Sequence, residues 1–209
     1  MTTPEHTLVG IHGAFLLGLP AKMGWAVVVL IALVSNVPDL DGLPLLISVQ
    51  QFESGHRVWG HNFLVIGITS LLLAWTQARY HWIERAARKV KKILPAETEA
   101  TLNQPEREIS LLPLMGVLFL FQSLHLVCDL VVSGGHGLSD WHVLPFWPFS
   151  DTGYVFPLIP WGDVGPTVIL MIGTITLAKM PNRTRTVAGL TLVMLCGYLV
   201  GRGLMRGTI

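Results

Sequence analysis

Six long apolar runs, at 7–19, 23–37, 63–77, 111–132, 165–180 and 186–205, are divided by polar breaks of very unequal length. The run 111–132 would extend about 33 Å as a helix, enough to cross a bilayer. Runs 7–19 and 23–37, parted by Pro20 and Lys22, fall short of the ~20 residues a perpendicular span needs. Residues 133–165 are too polar and too rich in proline and glycine to continue the helical pattern. The pattern predicts an all-α, multi-pass integral membrane bundle of about six helices with a long irregular outer segment. It forms a single membrane-embedded domain over residues 1–209, interrupted by one hydrophilic loop at 79–108.

Composition supports the membrane assignment. Of 209 residues, 51% are hydrophobic and 13% charged, roughly half the ~25% charge of a soluble domain; the mean hydropathy is +0.57. Disorder is excluded on these grounds. With 14 Lys and Arg against 13 Asp and Glu, there is no basic excess to bind nucleic acid. Cys128 and Cys196 both lie in apolar runs, which predicts small buried hydrophobes rather than a disulfide framework.

The basic residues set the topology. Arg79, Arg85, Arg88, Lys89, Lys91 and Lys92 crowd the start of the hydrophilic loop, which the positive-inside rule places in the cytoplasm. A second cluster, Lys179, Arg183 and Arg185, follows the fifth run and falls on the same side. Both termini then lie outside; Arg202 and Arg206 at the outer end of the last run weigh against the rule. Residues 1–22 lack a basic leader and an A-x-A site, so they are read as a membrane segment, not a cleaved signal peptide.

Against this background, one set of polar residues stands out. Asp39 and Asp41 follow the second run in NVPDLDG, His56 and His61 bracket HRVWGH before the third, His125 and Asp129 lie inside the fourth, and His6 opens the first. Ionisable groups within membrane segments mark function or pairing, and His and Asp are the nitrogen and oxygen ligands of zinc and similar ions. His125 and Asp129 are four apart and share a helical face. Asp39 and Asp41 are expected to project together from an irregular turn after Pro38. Threaded from the basic loops alone, all seven reach the outer layer. Seven ligands exceed the need of one zinc and suit two ions sharing a bridging carboxylate, Asp39 or Asp41.

The order EHTLVG, VPDLDG, HRVWGHNF, HLVCDL, PFWPFS resembles the YdjM-like family of membrane-bound metal-dependent hydrolases, also described as LexA-binding, inner-membrane-associated hydrolases. That family's usual pattern is an N-terminal His, P-D-x-D, H-R-G-x-T-H-S, H-x-x-x-D and a late W-P. The resemblance covers residues 6–149 and implies metal-site roles for His6, Asp39, Asp41, His56, His61, His125 and Asp129. Arg57 matches the basic residue of the H-R pair, while Val58, Gly60 and Asn62 depart from the Gly, Thr and Ser. A more distant similarity links the family to zinc-dependent phospholipases C and P1-type nucleases.

Together these readings give an expected function: hydrolysis of a phosphoester, lipid-type substrate by water activated on zinc, one or two ions, with manganese an alternative. Asp41 and Arg57 are the expected catalytic residues, Arg57 facing a phosphoryl oxygen; the equal alternative for Arg57 is an interfacial snorkelling residue or a partner for Asp. The expected partners are membrane lipids, and the expected location is the plasma (inner) membrane with the site on the periplasmic or external face. His12, His136 and His142 are spare histidines. Two other readings use the same residues differently: a metal-ion or proton transporter, and a non-catalytic adaptor working through residues 79–108.

Overall fold

The computed structural model of the chain describes residues 1–91, 109–135 and 140–208. It is an all-α membrane-type bundle. In order, the helices are α1 (Thr3–Leu16), α2 (Leu19–Met23), α3 (Trp25–Val34), a 3-10 helix (Pro38–Leu46), α4 (Val49–Gly55), α5 (Phe63–Tyr80), α6 (Trp82–Lys91), α7 (Leu111–Val131), α8 (Val164–Lys179), a 3-10 turn (Pro181–Arg183) and α9 (Thr184–Arg206). All six apolar runs are therefore helical.

Fewer of them suffice to span. Among the described residues, Phe63–Tyr80, Leu111–Val131 and Pro181–Arg206 are long and apolar enough to cross a membrane. Trp25–Val34 and Pro38–Leu46 qualify only as a pair bent by 49°. The 14-residue α1 and 16-residue α8 are shorter, and at 1.5 Å per residue they fall short of a ~30 Å hydrocarbon core. Both pack in the bundle instead: α1 touches α3, α7, α8 and α9, and α5 lies along α7.

Small residues let α1 sit this deep. A Cβ at Gly13 would strike the Phe121 ring of α7, and one at Gly10 would strike the Ser35 hydroxyl beyond α3; such close approach is how membrane helices gain packing energy. Polar glue joins α5 to α7, where Thr69 donates to Gln122 Oε1 at 2.8 Å and Gln122 Nε2 donates to Ser70 Oγ at 2.8 Å. The apolar core runs through Leu30, Ile31, Leu114, Leu118 and Phe121.

The basic stretch after Arg79 is not simply a loop. Gln77 and Glu84 bond at 2.7 Å across a turn at His81, and the chain re-enters a helix, α6. The remainder of the expected cytoplasmic loop, 92–108, lies outside the described residues, as does most of the surface the adaptor reading would use. Arg202, the apparent exception to the charge rule, is paired: its Nη2 donates to Asp163 Oδ2 at 3.0 Å. Asp163 caps α8 through the Gly165 N–H and accepts from Tyr198 at 2.6 Å. Burial would push the Asp163 carboxyl up, but these three donors hold it below its usual value. Both cysteines are free; Cys128 is half-buried, whereas Cys196 is exposed on α9 rather than buried.

Candidate metal centre

The 3-10 helix decides which aspartate goes where. Three residues per turn stack positions i and i+3, so Asp39 and Asp41, although only two apart, occupy different faces. Pro38 and Asp41 are buried against the bundle. Asp39 is turned toward a cavity of about 490 Å³ that it lines with Gly42 and Leu45. The expectation that both would project to one centre from an irregular turn gives way to this regular, three-faced element.

Five of the seven expected ligands converge. Donor atoms of His6, Asp39, His125 and Asp129 all lie within 4.8 Å of one another. His6 Nε2 is 3.0 Å from Asp129 Oδ1, and His125 Nε2 is 3.4 Å from Asp39 Oδ1. His61 Nε2 reaches the same place, 3.0 Å from His125 Nε2 and 3.2 Å from Asp129 Oδ2. The rings of His6 and His125 stack with centroids 3.6 Å apart. The amino group of Met1 also pairs with Asp129 Oδ1. His6, His61, His125 and Asp129 are all buried.

Asp41 and His56 stand behind this group. Asp41 Oδ2 accepts from His61 Nδ1 at 2.8 Å and from the Gly60 N–H at 3.1 Å, and its Oδ1 lies 3.3 Å from His56 Nδ1. His56 stacks on Phe52 and meets Trp141 edge-on. On the other side, His125 Nδ1 donates to the Ser35 carbonyl at 2.6 Å, and the Thr3 hydroxyl donates to Asp39 Oδ2 at 3.1 Å.

These outer bonds fix the chemistry of the inner atoms. A carbonyl and a carboxylate only accept, so Nδ1 of both His125 and His61 carries the proton and Nε2 is left with a lone pair. The two Nε2 atoms then face each other at 3.0 Å, an arrangement that requires a cation between them, a proton or a metal. For His61, burial opposes a charge, but the bonds to Asp129 and Asp41 outweigh it and raise the pKa to about 9. The carboxylates thus demand positive charge at this point, and a divalent ion with nitrogen and oxygen ligands fits the donor set.

Arg57 lines the cavity, but its bonds run into the protein. It is buried, with Nε 3.1 Å from Asp129 Oδ2, Nη1 donating to the Asp129 and Trp141 carbonyls and Nη2 donating to the Val132 carbonyl. The guanidinium also lies 5.5 Å from the Trp141 ring centroid. Its backbone is left-handed, φ 61°. The spare histidines are elsewhere: His12 packs near Gly173 and Thr191, His142 is exposed beside Gly153, and His136 lies outside the described residues. Trp141 and Trp161 of the outer segment help line the cavity. The HRVWGH spacing carries no signal for them.

The YdjM inner membrane protein family matches residues 1–209, the whole chain. The chain belongs to that family. No curated protein and no solved structure matches it. In this YdjM family member the departures from the usual pattern have local reasons. Asn62 takes over as cap of α5, accepting from the Val65 N–H at 2.9 Å and donating to the Val58 and Trp59 carbonyls. At Gly60 a Cβ would strike the Pro38 carbonyl and sit 3.1 Å from the Asp41 carboxylate. Gly60→Ala is therefore expected to cost about 1–3 kcal/mol through overpacking, read as a lower unfolding temperature in detergent. An unchanged unfolding temperature would mean that the Pro38–Asp41 turn does not press on Gly60.

Proposed function

We propose that this chain is a membrane-bound, metal-dependent hydrolase acting on phosphoesters of lipid type, with one divalent ion, zinc by preference, held by His6, Asp39, His61, His125 and Asp129. The observation that carries the reading is the facing pair of Nε2 lone pairs on His61 and His125, aimed among carboxylates and each fixed by a bond on the far side of its ring. Manganese is the second choice, since three imidazoles favour zinc. A second ion would have to draw on Asp41 and His56.

A divalent ion in such a site supplies Lewis acidity and a nucleophile at neutral pH. The protein supplies the rest. Asp41 keeps the proton on His61 Nδ1, and the Ser35 carbonyl does the same for His125, so neither ring can turn its Nε2 away. Arg57 is a positioning residue, holding Asp129 in place while its other donors are spent on carbonyls. Phe52, Trp141, Trp161 and the leucines of the 3-10 helix give the cavity apolar walls beside Asp39 and Asp129. Those walls favour an amphiphile over a small polar ester.

The site is assigned to the periplasmic or external face, because the basic residues of α6 and of the 179–185 turn cap the opposite end of the bundle. The test is a panel of lipid phosphates, phospholipids and acyl esters with purified protein, with and without chelator and added zinc. Turnover of a phosphoester should vanish with chelator, return with zinc, and fall at least ~10–100-fold in Asp41→Asn, with the fold retained. If no ester shows turnover dependent on both metal and Asp41, the transporter reading becomes the better one.

A further inference from the structure

On the 3-10 helix, Pro38 and Asp41 face the bundle, and Asp39 and Gly42 face the cavity. The outer side, Leu40, Leu43 and Leu46, is 47%, 54% and 85% exposed, and Leu43 and Leu46 join Leu45 in lining the cavity. Ile47 and Val49 continue the outer side at 78% and 61%. A contiguous apolar surface of this kind marks a binding or membrane surface. Its position matters, because this element carries Asp39 and so lies at the level of the candidate metal centre, beyond the end of α3. It is continuous with α3: the two together have the length and apolar character of one membrane segment bent by 49°.

We propose that the 3-10 helix is a re-entrant element embedded in the outer part of the bilayer, and that its lipid-facing leucines and cavity-facing Leu45 form a lateral doorway. Through it an amphiphilic phosphate ester passes sideways from the leaflet. Its phosphate would reach the ion that Asp39 and Asp129 would hold, while its hydrocarbon chain stays over Leu43 and Leu45. The occupant of the apolar face is the hydrocarbon of the leaflet itself, because the face continues a membrane helix and no other described element covers it. Trp161, which lines the same cavity and is 45% exposed, suits the interfacial depth at which such a doorway would open. The substrate half of this inference rests on the hydrolase reading; the membrane half does not.

Two measurements separate them. Spin labels on Leu40→Cys and Ile47→Cys, in protein with Cys128→Ala and Cys196→Ala, are read in phosphatidylglycerol–phosphatidylcholine vesicles. Collision with oxygen should exceed collision with a water-soluble nickel chelate, whereas a label on Thr152→Cys, on the exposed outer segment, should show the reverse. Nickel-dominated collision at 40 and 47 would overturn the proposal. In the second measurement, Leu40→Glu and Ile47→Glu, on the exposed face but outside the cavity lining, are assayed on long-chain phosphatidate in vesicles and on water-soluble dibutyryl phosphatidate. Vesicle turnover should fall about tenfold or more, the weight of a charge at hydrocarbon depth, with the soluble ester little changed. Equal loss on both esters would overturn the doorway. Absence of turnover on either ester in the unsubstituted protein, with oxygen-dominated labels, would sink the hydrolase reading and leave the re-entrant element standing.

Discussion

On the proposed reading, His125→Ala is expected to abolish zinc binding and any metal-dependent turnover. The imidazole is pinned by the Ser35 carbonyl and directs Nε2 to within 3.4 Å of Asp39 and 3.0 Å of His61 Nε2. Alanine removes one nitrogen donor and unstacks His6, whose ring lies on His125. Losing a residue that merely supports a ligand costs about 10–100-fold in affinity; losing the ligand should cost more. Elemental analysis after dialysis against a chelator should find about one zinc per chain in the unsubstituted protein and almost none in the variant. His12→Ala is the matching control, because His12 is equally buried but packs against Gly173 and Thr191 away from the cluster. Full occupancy in His125→Ala would defeat the assignment.

The two kinds of residue in this site were unequally legible in the sequence. That His6, Asp39, His61, His125 and Asp129 would meet in one layer followed from apolar run lengths and the placement of Lys and Arg. Those features act over whole segments, so a single chain reveals them. The division of labour between Asp39 and Asp41 did not follow, because it depends on a 3-10 helix after Pro38, and the sequence suggested only a turn. A rotation of about 120° per residue sends one aspartate to the cavity and the other to the back of His61. The shortness of α1 was legible in the run 7–19, but where α1 and α8 pack was not. Their place is set by close contacts at Gly10 and Gly13, and by partners such as Asp163 with Arg202 that come together only in the folded bundle.

Arg57 is a residue whose role sequence left open, an Asp partner or a phosphoryl contact, and its substitution should have the largest effect on stability. The guanidinium joins three elements at once: the loop before α5, the end of α7 and the outer segment at Trp141. The carbonyls of Asp129 and Val132 belong to the last turn of α7, where backbone acceptors have no helical partner and a positive charge is favoured. Asp129 itself is buried, with Arg57 Nε 3.1 Å from its Oδ2. Removing one partner of such a buried pair costs about 3–5 kcal/mol, because the remaining charge is left uncompensated. Arg57→Ala should therefore lower the free energy of unfolding by about that amount, measured by equilibrium unfolding in mixed detergent–SDS micelles. Arg57→Lys keeps the charge but not the fork that serves several acceptors, so it should fall between. Arg57→Gly isolates the backbone: at φ 61° a residue with a Cβ is strained by about 1–2 kcal/mol, and glycine is not. Glycine should thus be the milder of the two truncations, although both lose the same side-chain bonds. If alanine costs less than about 0.5 kcal/mol, the range of an ordinary surface change, the guanidinium is not what ties the loop before α5 to the end of α7. If glycine is the more damaging truncation, the left-handed backbone at this position stores no strain.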